Sequence, residues 1–432
     1  MEVSTELLKA IKIEYDTKKI IYDKMLRYYD GDTDSKRNYK KIKSRSNLFA
    51  DNNYIMKFIQ EEANYCCLNK VTYSSHTGNK AAVDSIRLAL RNYSEGYNKE
   101  LLKQALIFQE AYSLHYINSN GDFASLICTP QNSYILQDDF GNIQLFIRFF
   151  KKKFNTVDVF ADVYTDDSII HYKVNGTFVQ IGDIDGNIFS SIPVGICKIG
   201  SISESLYSKL SGLEDAYCTN LSDQTNLNSD LRTKYLHFKN CDPSPEQMDT
   251  MKENATITTS GEGDVRWVQS TEVSFESTIN ILQDNIYQQA SHLNFNNPLS
   301  SNTSSLALQG TMMAMNQKVG DDITAMTDCL KVRIKFIFEY LKIKVGSDFS
   351  WKDILIKITA NIPSDNLLAS QILSQNPNIS RKTGYGLYSF IDSPEAEEKQ
   401  KDLEDKANSI GNDLLNPTIP VNSTVPDVVE AK

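Results

Sequence analysis

The chain has 432 residues, 41% hydrophobic and 10% aromatic, enough apolar material for a sizeable core in one large subunit or in two or three domains. A net charge of −10 and a pI near 5.2 argue against a protein that wraps nucleic acid through a basic face. Seven scattered cysteines, odd in number and without a C-x-x-C pair, speak against a disulfide framework and against zinc.

The first thirty residues read as helix, with Leu7, Leu8, Ile11, Ile20, Ile21, Met25 and Leu26 as its apolar positions, closed by the turn signal Tyr28-Tyr29-Asp30-Gly31-Asp32. A basic stretch from Lys36 to Arg45 precedes a second helix at about 53–68, and residues 80–109 carry another helical pattern. From Ala111 to about Ile199 the pattern changes to short β-branched and aromatic runs between turns. These are Tyr112 to Asn118, Ile143 to Phe150, Val157 to Tyr164, Ile169 to Val174 before Asn175-Gly176, and Phe178 to Ile181. Such runs predict an antiparallel sheet set between helices, hence an α+β fold.

A helix predicted over 203–231 begins with Leu206, Leu210, Leu213, Tyr217 and Leu221 and then turns polar, which suits packing on one flank only. Residues 232–271 read as a small insert with strand-like pieces at Lys234 to Phe238, Thr256 to Thr259 and Val265 to Val268. A helix at about 272–293 follows, then a polar loop over 294–304, then a very long helix over about 305–345 with Gly310 and Gly320 inside it. That helix would span on the order of 60 Å, more than one compact globule needs. A strand from Ile354 to Ile362 and two or three short helices over 364–410 complete the order, and the Pro-containing end, 411–432, is expected to be disordered.

No catalytic constellation stands out. The five histidines are dispersed, and there is no H-E-x-x-H, G-x-S-x-G or P-loop; Gly261-Glu262-Gly263 reads as a turn. His292 reads as a polar surface residue, with phosphate contact as the alternative. The pairs Glu61-Glu62, Asp138-Asp139, Asp166-Asp167 and Asp321-Asp322 read as solvated surface and not as a two-metal site. No apolar run approaches the ~20 residues that span a bilayer, and no signal peptide is evident, so a protein that is soluble and intracellular when made, without cofactor or metal, is expected.

Several stretches resemble the portal proteins of tailed phages, in the branch typified by the SPP1 portal. They are Tyr28-Tyr29-Asp30-Gly31-Asp32, Asn52-Asn53-Tyr54 leading to Glu61, Glu62 and Tyr65, and Glu110-Ala111-Tyr112 with Asn118-Ser119-Asn120-Gly121 and Thr129-Pro130-Gln131-Asn132. Asn297-Pro298 to Ser304-Ser305-Leu306-Ala307-Leu308, Asn361-Ile362-Pro363 and Ile391-Asp392-Ser393-Pro394-Glu395-Ala396-Glu397 continue the likeness in the same order. Asn69-Lys70-Val71 departs from a Gly-Lys-Pro-like turn, and Ser304 stands where Gly is usual.

The resemblance implies a wing over 1–202 with a returning strand in 305–363, stem helices at 203–231 and 272–293, and a clip at 232–271. It further implies a tunnel loop at 294–304, a long kinked helix and a helical crown at 364–410. It implies a closed ring of about twelve copies at one capsid vertex of the virion, a conduit for double-stranded DNA in packaging and ejection. The partners implied are the terminase large subunit, head–tail adaptor, major capsid and scaffolding proteins, with no membrane. Asn294, Asn296, Asn297, Ser300, Ser301 and Asn302 are the candidate channel residues, because neutral side chains touch phosphates without gripping them; a mere connector is the alternative. Lys234, Lys239 and Arg266 are candidate clip contacts to a partner or DNA, or ordinary surface charge. The rival functions are another structural phage component, such as a minor capsid or connector protein, and a metal-dependent nucleic-acid enzyme.

Overall fold

The computed structural model of the chain describes residues 3–41, 43, 45–91, 93–94, 96–231, 235–254, 261–268, 276–294, 313–360, 370, 373–376, 378–386, 388 and 394–415. They divide into two compact units, Met1–Asn361 and Ile362–Lys432. Among the described residues no helix is long and apolar enough to cross a membrane.

Helix α1 (Thr5–Tyr29) starts at Ser4, whose side chain accepts a hydrogen bond from Leu7 N at 3.2 Å, and stops at the expected Asp30-Gly31 turn. Gly31 has φ +76°, and Asn53 donates to the Tyr29 carbonyl at 2.8 Å, so this turn ties α1 to the start of α3 (Tyr54–Cys67). Twenty-five residues make α1 about 38 Å long, enough to serve two cores. Its first half packs Leu8, Ile11 and Tyr15 on a sheet; its second half sends Tyr22, Met25 and Tyr28 into a helical core. A five-residue helix, α2 (Asp34–Asn38), lies in the basic stretch.

The pattern over 80–109 resolves into two helices, α4 (Lys80–Ala89) and α5 (Tyr97–Phe108), with Gly96 as the N-cap of the second. Strands β1 (Thr72–Ser75), β2 (Glu110–Ile117), β3 (Phe123–Cys128), β4 (Ser133–Gln137), β5 (Ile143–Lys152), β6 (Asn155–Tyr164), β7 (Ser168–Asn175), β8 (Thr177–Gln180), β9 (Asp185–Gly186) and β10 (Val194–Lys198) follow the turn signals. Strands β2 to β10 form a three-stranded sheet in the order β10-β2-β3 and a six-stranded antiparallel sheet in which β4 to β8 meander and β9 joins β7. Tyr112, Leu114, Phe146, Tyr164 and Val194 fill the space between the two sheets.

Helix α6 (Leu206–Leu231) and helix α8 (Glu276–Ala290) pack on each other and on α3 and α5. The polar half of α6 is engaged within the chain: Asn226 bonds both the N–H and the carbonyl of Leu48 at 2.8 Å, Ser222 Oγ accepts from Ala50 N at 2.9 Å, and Asp230 accepts from Ser46 N at 2.9 Å. The extended stretch 46–50, which has no strand partner, finds its hydrogen bonds there. The polarity expected to serve the flanks of α6 is thus spent partly inside the subunit.

Between α6 and α8, strands β11 (Tyr235–Lys239) and β12 (Asp264–Val268) pair antiparallel. A helix absent from the sequence reading, α7 (Pro245–Asn254), lies between them. Pro245 occupies the first helical position, and Ser244 and Gln247 close a reciprocal cap, with Gln247 N to Ser244 Oγ at 3.3 Å and Ser244 N to Gln247 Oε1 at 3.0 Å.

Helix α9 (Met313–Val345) is unbroken through Gly320 and is about 50 Å long. The kink expected near Gly310, and the stretch 305–312, lie outside the described residues. Strand β10 lies against this helix, where Gly195 permits the approach: a Cβ there would sit 3.0 Å from the Cys329 carbonyl oxygen. The last strand of the unit, β13 (Ile354–Lys357), is shorter than the expected 354–362, because its partner β1 has only four residues to offer. In the second unit, α10 (Arg381–Tyr385) packs on α11 (Pro394–Leu415), with Arg381 3.4 Å from Asp405. The stretch 411–432 therefore begins in helix; residues 416–432 lie outside the described residues.

Candidate functional site

Of the six candidate channel residues only Asn294 is described; Asn296, Asn297, Ser300, Ser301 and Asn302 lie outside the described residues. The structure does define what precedes and follows the stretch 295–312. Helix α8 stops in a Schellman arrangement: Ser291 N donates to the Gln288 carbonyl and His292 N to the Tyr287 carbonyl, both at 3.1 Å. Ser291 takes φ +58°, the left-handed region where Gly is usual, at a cost of about 1–2 kcal/mol. That turn folds His292 back into the protein.

His292 is not a surface residue. Its side chain is 3% exposed and its ring lies on Phe58, with centroids 4.5 Å apart. One ring nitrogen is 3.3 Å from Glu61 Oε2, and the other is 3.7 Å from Glu62 Oε2. From α9, five residues past Met313, Lys318 Nζ reaches the same Glu62 oxygen at 2.6 Å, and Asp322 follows one turn later. Glu62 and Asp322 are both fully buried, so the solvated-surface reading of Glu61-Glu62 and Asp321-Asp322 fails for one member of each pair. Glu62 occupies the apolar stripe of α3 formed by Ile55, Phe58, Ile59, Ala63 and Cys66; Asp322 lies in the stripe Met315, Val319, Met326. A carboxylate at a stripe position was the available sign in the sequence.

The electrostatics of this cluster follow from burial. Desolvation pushes the Glu62 carboxyl up, but the Lys318 charge and the groups of His292 and Lys318 outweigh it and hold Glu62 below its ordinary value, ionised. Asp322 is pushed up to about 9 by burial first and by the Glu62 charge second. Among the described residues no donor reaches either Asp322 oxygen. A proton on Asp322 lets it bond the Glu62 carboxylate, so the pair holds one negative charge against Lys318. The chain leaves for residues 295–312 beside His292 and returns just ahead of Lys318. The residues that flank that stretch, His292 before it and Lys318 after it, therefore meet at one carboxylate of α3.

A second buried carboxylate, Glu214 of α6, accepts from Tyr54 N at 2.8 Å at the start of α3 and is raised to about 8 by burial. Arg333 of α9, 1% exposed, donates to Asn98 Oδ1 at 2.8 Å and lies over Tyr97 at 4.7 Å. Among the described residues no group of three or more His, Cys, Asp or Glu is placed to hold a metal ion.

In the β11–β12 ribbon the register sets His237 opposite Arg266 and Lys239 opposite Asp264, all on one face. Arg266, 79% exposed, pairs with Asp264 at 2.5 Å, which halves the free positive charge of that face; Lys239 is exposed, and Lys234 lies outside the described residues. Lys239 and Arg266 are thus brought together on one face of a small ribbon.

Comparison with known proteins closes the description. No curated protein matches the chain. Among solved structures, it is similar to a chain in the virion of a native gene transfer agent particle, at 10% identity over 77% of this chain and 88% of that one, TM-score 0.48. It is likewise similar to a chain in the neck of an empty gene transfer agent particle, at 11% identity over 77% and 89%, TM-score 0.49. The profile of one family, described as "Phage portal protein, SPP1 Gp6-like", matches residues 8–411, nearly the whole chain, and the protein belongs to that family.

Proposed function

We propose that this chain is the portal subunit of a tailed phage, a virion component that closes into a ring of about twelve copies at one capsid vertex. The ring conducts double-stranded DNA during packaging and ejection, docks the terminase large subunit and later a head–tail adaptor, and meets the major capsid and scaffolding proteins. In this reading residues 1–202 with β13 form the wing, α6 and α8 the stem, 232–271 the clip, and 364–410 the crown. Residues 294–304 form the tunnel loop, whose Asn and Ser side chains offer neutral hydrogen bonds to passing phosphates. The family match over residues 8–411 supports membership of a structural, non-enzymatic family.

One observation carries the mechanical part of the proposal. His292 just before the stretch 295–312 and Lys318 just after it converge on the buried Glu62, with Asp322 one turn further along α9. A loop exposed to moving DNA needs a base that does not yield. Three charged or polar side chains converging on a fully buried carboxylate supply that better than apolar contact alone, because the arrangement has one geometry. The net acidity of the subunit favours passage over binding. Electron microscopy of the purified protein tests the reading: rings with a central hole are expected, and a population of single closed subunits at all concentrations refutes it.

A further inference from the structure

The six-stranded sheet carries an exposed aromatic tip at one end and an unfilled apolar cavity at the other. At the β4–β5 turn, Asp138 Oδ1 accepts from Phe140 N at 2.9 Å and from Asn142 N at 2.8 Å, and Gly141 takes φ +83°. This locked turn presents Phe140 at 91% exposure beside the two carboxyl groups of Asp138 and Asp139. A phenylalanine held out in water on a rigid turn gains nothing within its own subunit. At the opposite end of β5, a cavity of about 910 Å³ opens between α1 and the sheet. Ile13, Phe149, Val174 and Phe178 give it apolar walls, and Lys9 and Lys151 stand at its rim. Among the described residues Lys9 and Lys151 have no ion pair, whereas Lys12 and Lys19 are neutralised by Asp16 and Asp23.

We infer that the acidic aromatic tip Asp138-Asp139-Phe140 of one copy seats in the lysine-rimmed cavity of the next copy, forming a head-to-tail contact of the ring. The inference rests on the ring proposed above and names where its neighbours meet. The six residue steps from Ile143 to Phe149 put knob and cavity about 20 Å apart along one sheet. A repeated rotation needs that arrangement, two different complementary patches on each subunit, because a head-to-tail contact cannot be self-complementary. Charge selects the knob. The other exposed tip of the sheet, Phe154 at 94% exposure, follows Lys151, Lys152 and Lys153 and would meet the lysine rim with like charge. The cavity volume exceeds that of a phenylalanine side chain severalfold, so the flanking backbone of the tip enters with it.

Two measurements on the full-length protein test this. In the first, ring assembly is followed by mass photometry for wild type, Phe140→Ala, Asp139→Lys, and Asp139→Lys combined with Lys9→Glu and Lys151→Glu; circular dichroism checks folding. Each of the first two variants is expected to need at least about tenfold higher concentration to assemble, since a buried aromatic or a paired charge is lost at every contact. The charge-swapped triple variant is expected to recover most of that loss. In the second, the photo-reactive p-benzoylphenylalanine replaces Phe140, and the crosslinks are mapped by mass spectrometry. Crosslinks between two copies, from position 140 to residues 9–19 or 149–178, are expected. Rings that form equally well in Phe140→Ala and Asp139→Lys, or crosslinks that map elsewhere or to a different protein only, overturn the inference while leaving the ring intact. Crosslinks at the cavity without rings would retain the contact and instead remove the portal reading.

Discussion

Asp322→Asn replaces the proposed protonated carboxyl by an amide of the same shape, which donates to Glu62 at every pH. In the native protein Asp322 is raised from 3.8 to about 9 by burial and by the Glu62 charge. Between about pH 5 and 8 the unfolded chain has released that proton and the folded chain still holds it. The stabilisation from this group is therefore complete below pH 4 and drains away as pH rises, by about 1.4 kcal/mol per pH unit, until the folded group also ionises near pH 9. Glu214, raised to about 8, adds a drain of the same sign over much of the same window. Glu62 is shifted down, so its contribution is lost only as pH falls below the ordinary carboxyl range. Urea unfolding of wild type and Asp322→Asn at pH 6, 7 and 8, at one protein concentration, isolates Asp322, because every other group is common to both. At pH 6 the two proteins are expected to agree within about 1 kcal/mol. By pH 8 the variant is expected to be the more stable by roughly 2–3 kcal/mol. Parallel profiles, or a variant several kcal/mol weaker throughout, would refute the shared proton.

Two further outcomes follow from the same packing. Lys318→Met strands a fully buried Glu62 and is expected to cost about 2–4 kcal/mol in chemical denaturation, with Glu62→Gln in the same chain recovering most of it. Asn226→Ala leaves both backbone groups of Leu48 without their α6 partner; a loss of about 1–3 kcal/mol and faster amide exchange at residues 46–50 are expected, and unchanged exchange there would contradict the account of α6.

Periodicity and turn chemistry were enough to read the order of elements. The 3.6-residue stripes of α1, α3 and α9, the Asp30-Gly31 stop, and the alternation over Ile143 to Tyr164 are local signals, and local signals survive in a single sequence. Helix α7 is absent from the strand-like reading of 232–271; Pro245 at its first position and the reciprocal cap of Ser244 and Gln247 make it a helix start. Family membership was legible for a different reason, the order of many weak motifs along one chain, and the match over 8–411 agrees with it.

What needed tertiary structure was the fate of polar groups. Glu62 and Asp322 are 260 residues apart, and each looks like surface charge until α3 and α9 are laid together; only then does desolvation push the Asp322 carboxyl up while Lys318 holds Glu62 ionised. The same holds for His292 on Phe58, and for Asn226 completing the backbone of Leu48 across 178 positions. A pattern of apolar spacing states which face of an element turns inward. It does not state which charges are carried inward with that face, because the penalty for burying them is set by partners that folding alone brings near.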